Sequence, residues 1–161
     1  MKSNDSGPAN ALMDMGRSPF WTTVFRLLFL TTPNRLVGVV WRRSGFGRVE
    51  EVVIRGRKTG SDRHLFLLVA RTDAGWIVGH PNGERAQWVR NLEAAGSADV
   101  IDRSGASTPV RATLLLPGPD RDAAIDAHTR QQIPGPRTLY RLARNHIRAA
   151  GAVFRLDPIA A

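Results

Sequence analysis

The sequence predicts a mainly β protein of the α+β class, a small closed or nearly closed β-barrel with helices on its outside. Three observations carry this. First, the 161-residue chain contains about six short apolar runs rich in β-branched and aromatic residues, each bounded by turn signals. Second, several of the links between runs are too short for the helical crossover that parallel strands need, so the pairing is mostly antiparallel. Third, no G-x-G-x-x-G fingerprint follows any run, which argues against a doubly wound sheet.

The elements follow in order. Residues 1–18 mix Ser, Asn, Asp, Gly and Pro with few apolar positions and read as a flexible lead-in, without the pattern of a secretory signal. Residues 19–161 form a single domain. Ser18-Pro19 opens a helix to about Leu30, as an N-cap followed by proline at the first helical position. This helix is apolar over much of its circumference; packing on the domain is the favoured reading and contact with a membrane surface the alternative. A second helix is expected from Thr32 to about Arg43, and a loop at Ser44-Gly45-Phe46-Gly47. Val52–Ile54 and Leu65–Ala70 form a hairpin. Asp73-Ala74-Gly75 turns into the strand Trp76–Gly79, and Asn82 is an expected N-cap for a helix from Glu84 to Ala95, stopped by Gly96. Val100–Arg103 and Val110–Leu116 make two more strands. Helices follow at Asp120–Gln131 and Arg137–Ala149, separated by Ile133-Pro134-Gly135-Pro136, and Ala152–Leu156 is the last strand.

Composition narrows function. The net charge is +9, and all but Lys2 and Lys58 of the 23 cations are arginines. Such charge favours anionic partners, yet the arginines are scattered through every element and no nucleic-acid-binding motif appears, so no nucleic-acid partner is expected. With no cysteine, disulfides and thiolate chemistry are excluded, in keeping with a cytoplasmic protein. His64, His80, His128 and His146 lack metal-ligand spacing. A nucleophile elbow, a Walker loop and a carboxylate pair suited to hydrolysis are all lacking.

What stands out is the turn inside the first hairpin, Arg55-Gly56-Arg57-Lys58-Thr59-Gly60-Ser61-Asp62-Arg63. Glycines allow a ligand close to the backbone, and guanidinium forks match phosphate or carboxylate. A polyanion site on a barrel needs no catalytic side chain when the bound ligand brings the chemistry.

Gly56-Arg57-Lys58-Thr59-Gly60 with Arg63 resembles the GRKSG/GRKTG-x-x-R signature of the deazaflavin-dependent nitroreductase family, actinobacterial split β-barrel proteins of which many use coenzyme F420. Trp88-x-x-Asn91-Leu92-x-Ala94 is similar to that family's W-x-x-N-L-x-A helix. Arg42-x-x-Gly45-x-Gly47-Arg48 resembles its lead-in, and Val153–Pro158 its terminal strand. The likeness spans about residues 34–158. It implies a split β-barrel oxidoreductase passing a hydride from reduced F420 to a quinone, enone, nitro compound or similar conjugated acceptor.

The resemblance also implies roles for residues. Arg57, Lys58, Thr59 and Arg63 would hold the phosphate and acidic tail; His64, Leu65, Phe66, Leu67 and Leu68 would line the ring. Gly79, His80, Pro81 and Asn82, with Trp88 and Asn91, would close the other side. Proton-donor candidates are His64, His80 and Tyr140. Leu65-Phe66-Leu67 stands where the family usually has Pro-Leu, and His80-Pro81-Asn82-Gly83 replaces a Ser-x-Gly-Gly loop. FMN is the alternative cofactor, its phosphate in the same turn. The other alternative is a non-catalytic binder of an anionic or lipidic ligand at the inner face of the membrane, touching it through the N-terminal helix. Pairing into a homodimer through the barrel face is common in proteins of this resemblance.

Overall fold

A computed structural model describes residues 17–31, 36, 38–40, 44 and 48–160. Its centre is a closed barrel of six strands in the order β1-β2-β3-β6-β5-β4, every neighbouring pair antiparallel. The strands are β1 (Val49–Arg55), β2 (Asp62–Thr72), β3 (Gly75–His80), β4 (Ser97–Ile101), β5 (Ser107–Leu114) and β6 (Ala152–Pro158). The last strand closes the barrel. It pairs Val78 with Phe154 on one side and Ala112 with Leu156 on the other.

Alternation along the strands divides the apolar residues between two cores. Val52, Ile54, Val69, Val78, Val100, Val110, Phe154 and Leu156 fill the barrel, joined by Val89 and Leu92 from helix α2 (Gln87–Ala95), which plugs one end. Ala70, Ile77 and Val153 point outward and meet α1 (Pro19–Thr31), α3 (Pro119–Gln131), α4 (Pro134–Leu142) and α5 (Arg144–Ala150) in a second cluster. Phe25 is its centre. Fully buried, its ring lies 5.9 Å from that of Trp21, 6.0 Å from Tyr140 and 6.2 Å from His146, near-parallel to the imidazole. Thus α1 packs on the domain by one face, while Phe20, Leu27 and Leu28 stay exposed on another. No helix among the described residues is long and apolar enough to cross a membrane.

Several expected boundaries shift for local reasons. The helix expected from Glu84 begins only at Gln87: Gly83–Arg85 is a single 3₁₀ turn, broken by extended backbone at Ala86. Asn82 caps nothing with its side chain, which is spent on tertiary bonds instead. The single helix expected over Arg137–Ala149 is two, α4 and α5, bent at Ala143, and α4 starts at Pro134, inside the stretch read as a separator. Proline at the first helical position costs no hydrogen bond, so the Pro-Gly-Pro run opens a helix rather than blocking one. Strand β4 begins at Ser97 and stops at Ile101, because Asp102 takes the backbone N–H groups of Ser104 and Ala106 and turns the chain. Most of the helix expected over residues 32–43, the lead-in through residue 16 and the Gly45–Gly47 part of the lead-in motif lie outside the described residues.

Candidate functional site

The cationic turn is a folded loop. Gly56 N–H donates to Ser61 O and Gly60 N–H to Gly56 O, both at 2.8 Å, with Gly60 at φ +66°, a left-handed conformation that favours glycine. Thr59 Oγ1 accepts a bond from Ser61 N–H at 3.4 Å, inside the turn. Arg57 fixes the loop to α2: its Nη1 donates to Asn91 Oδ1 at 3.0 Å and to Gln87 Oε1 at 3.2 Å, and its backbone N–H reaches Asn91 Oδ1 at 3.4 Å. The turn and the tryptophan-bearing helix therefore meet through Arg57 and Asn91. Lys58 and Arg63 stay exposed.

The wall expected along β2 divides by strand parity. Leu65 and Leu67 pack on the interior core and are turned away from any ligand on the outer surface, so the five residues His64–Leu68 do not make one wall. His64, Phe66 and Leu68 share the outer face. There Gly38 lies against Phe66 so closely that an added Cβ would come 2.3 Å from the ring. His64 Nδ1 bonds Oε1 of the buried Glu51 at 2.8 Å, while the imidazole side chain is 58% exposed. This fixes the ring and leaves Nε2 as the outward nitrogen.

The segment Gly79–Asn82 is tied into the fold. His80 Nδ1 accepts the backbone N–H of Asn82 at 3.1 Å, and burial lowers its pKa to about 4. Asn82, itself buried, donates from Nδ2 to Thr22 O on α1 at 3.0 Å, and its Oδ1 meets His146 Nε2 at 3.1 Å. His146 Nδ1 accepts Ser18 N–H at 3.2 Å, which makes Nε2 the protonated nitrogen. Burial lowers its pKa, with Arg17 and Arg85 adding to the shift. Trp88 is half-buried against the interior core, its ring 6.0 Å from His80 and 6.4 Å from Phe154. Tyr140 is buried beside His128, which bonds Leu68 O at 3.1 Å; burial raises the phenol pKa and lowers that of His128. His80 and Tyr140 face a small apolar cavity between the barrel and the helices rather than an open cleft.

A larger cavity, about 430 Å³, lies against another face of α2, lined by Val89, Arg90 and Glu93 rather than Gln87 and Asn91. Arg17, Arg85 and Arg121 also line it, with Leu114–Leu116. Sequence reasoning does not find it. Its arginines come from four separate segments, and Arg121 sits between Asp120 and Asp122 in a helix whose pattern gives no sign that it is buried. Among the described residues there is no cluster of three or more His, Asp or Glu able to hold a metal ion.

No family model matches the sequence, and no curated protein matches it. Solved structures do. HutZ, the haem storage protein from Vibrio cholerae, is 12% identical, with a TM-score of 0.54 over 81% of this chain and 93% of that one. A candidate 5-nitroimidazole antibiotic resistance protein from Bacteroides thetaiotaomicron is 7% identical, with a TM-score of 0.50 over 80% and 81%. An F420 reductase is 16% identical over 70% of this chain and 86% of that chain, with a TM-score of 0.42, too loose to carry an argument. At these identities the likeness establishes the split-barrel fold alone.

Proposed function

We propose that the protein is a deazaflavin-dependent oxidoreductase that passes a hydride from reduced coenzyme F420 to a conjugated acceptor such as a quinone, enone or nitro compound. One observation carries the reading: Arg57, in a turn with the family-like sequence, is bonded to Asn91 of the family-like helix. The residues fit the acidic end of such a cofactor. Exposed Lys58 and Arg63 sit on a loop held rigid by Arg57, so an anion there meets fixed cations without ordering the chain anew. The same donors would take the phosphate of FMN.

When bound in its reduced form, the cofactor would supply a hydride, which carries both electrons; the acceptor then needs one proton. Three side chains of this protein compete for that role, and their surroundings rank them. His80 is held neutral by burial, with Nδ1 engaged by Asn82. Tyr140 is sealed in the second core. His64 is exposed, on the outer face of β2 eight residues along the chain from Gly56 at the start of the turn, with Nδ1 on Glu51 and Nε2 available. His64 is therefore the assigned donor, and Glu51 positions it.

The test mixes purified protein with reduced F420 and menadione and follows formation of oxidised deazaflavin. Acceleration over the protein-free reaction, slowed in His64→Gln, is expected. No acceleration with any quinone, enone or nitro acceptor would remove the proposal, and turnover with FMN alone would move it to the flavin reading.

A further inference from the structure

The 430 Å³ cavity on the far side of α2 from the cationic turn has its own chemistry. Four guanidinium groups line it, Arg17, Arg85, Arg90 and Arg121, against one carboxylate, Glu93. Arg121 forms its floor and is only 6% exposed. Its Nη2 donates to the carbonyls of Ile147, at 3.4 Å, and of Gly151, which stabilises the end of α5, but its Nε has no partner. Its acidic chain neighbour, Asp122, is spent on Arg148, with bonds to Nε at 2.8 Å and to Nη2 at 2.5 Å. No carboxylate of the described residues pairs with Arg121. Asp122 still favours the charged guanidinium through space, but burial outweighs it and lowers the Arg121 pKa, so the buried cation is only partly compensated, which is costly. Carbonyl bonds alone explain the position of Arg121; they do not explain why Arg17 and Arg85, exposed and free to turn elsewhere, line the same space.

One stretch of the lining is apolar. Leu114, Leu115, Leu116 and Pro117 run along it, and Leu116 is 74% exposed, the most exposed large apolar side chain among the described residues. A leucine left open at the mouth of a charged cavity is a surface that a ligand would cover. The volume lies within the range of small-molecule sites.

We propose that this cavity binds an amphipathic carboxylate, its head group held by Arg17, Arg85 and Arg121 and its apolar body laid against Leu114–Leu116. None of its arginines belongs to the cationic turn, and Asn82 is the one residue it shares with the segment that the resemblance sets beside the ring. Arginine forks suit a carboxylate head, which they grip in bidentate fashion, and the leucine wall discriminates against a bare inorganic anion.

Calorimetric titration with octanoate, octanol and inorganic phosphate tests this on the full chain. Octanoate should bind at least about tenfold more tightly than either comparator, because only it uses both the arginines and the leucines. Arg85→Ala, at an exposed position, should weaken octanoate at least about fivefold with an unchanged thermal midpoint. Arg121→Lys, which keeps the charge and loses the fork, should also weaken it. Octanol or phosphate binding as tightly as octanoate, or octanoate affinity unmoved in both variants, would overturn the proposal.

Discussion

Asn82 is the residue whose removal should reveal how the loop after β3 is held. Its side chain makes two buried bonds, giving a proton to Thr22 O on α1 and accepting one from His146 Nε2 on α5. Asn82→Ala deletes both, leaving a fully buried imidazole N–H with no partner, while the Thr22 carbonyl loses only its second bond and stays in the α1 ladder. An unsatisfied buried group costs about 1–3 kcal/mol, so the variant should lose about that much. For a domain of this size that is a fall of roughly 2–12 °C in thermal midpoint. Urea unfolding followed by tryptophan fluorescence reads the loss. A cycle with His146→Ala should return a coupling of about 1 kcal/mol, since the two side chains share one of the bonds. If Asn82→Ala were destabilised by less than about 0.5 kcal/mol, the loop would not be pinned by this network, and its rigid placement beside α1 and α5 would have another cause.

Acidification should destabilise the fold. His80, His128 and His146 all have native pKa values lowered by burial, so each contributes stability that is complete above the unfolded value near 6.5 and is lost as pH falls. For His80 the window runs from 6.5 to about 4, with a limiting slope of about 1.4 kcal/mol per pH unit; urea midpoints that stay flat between pH 7.5 and 5 would contradict this. Gly83→Ala should cost roughly 2 kcal/mol or more, because Gly83 sits at φ +57° and an added Cβ would come 2.2 Å from Ala150 O; a circular-dichroism melt checks it. Arg57→Ala should loosen the cationic turn from α2, seen as faster amide exchange at Gly56 and Gly60, while the thermal midpoint moves by only a few degrees because the lost bonds are exposed.

The barrel was legible in the sequence because its information is local. Strand runs, hairpin turns and the Ser18-Pro19 helix start each depend on a few adjacent residues, and they lie at or near the positions read. Long-range demands were not legible. Asn82 looks like a helix cap in sequence, but the buried N–H of His146 on α5 occupies the side-chain oxygen a cap would use, and the Thr22 carbonyl on α1 takes the amide N–H. Leu65 and Leu67 read as part of an apolar ligand wall, and only barrel closure decides which parity points inward. The meeting of Arg57 with Asn91 joins residues 34 apart in sequence; family resemblance pointed to it where spacing alone could not. Arg121 shows the limit most clearly, since an arginine flanked by aspartates carries no local sign of burial.

The central claim is that the turn between β1 and β2 grips the acidic tail of a redox cofactor, and an F420 binding isotherm tests it most directly. Wild-type protein should bind oxidised F420 with a dissociation constant in the micromolar range, about −8 kcal/mol. The double variant Lys58→Ala, Arg63→Ala removes two exposed cations that the fold does not need, so it should bind at least about tenfold more weakly with an unchanged thermal midpoint. Wild-type protein that fails to bind at micromolar concentrations, or a double variant that binds as well as wild type, would contradict the account.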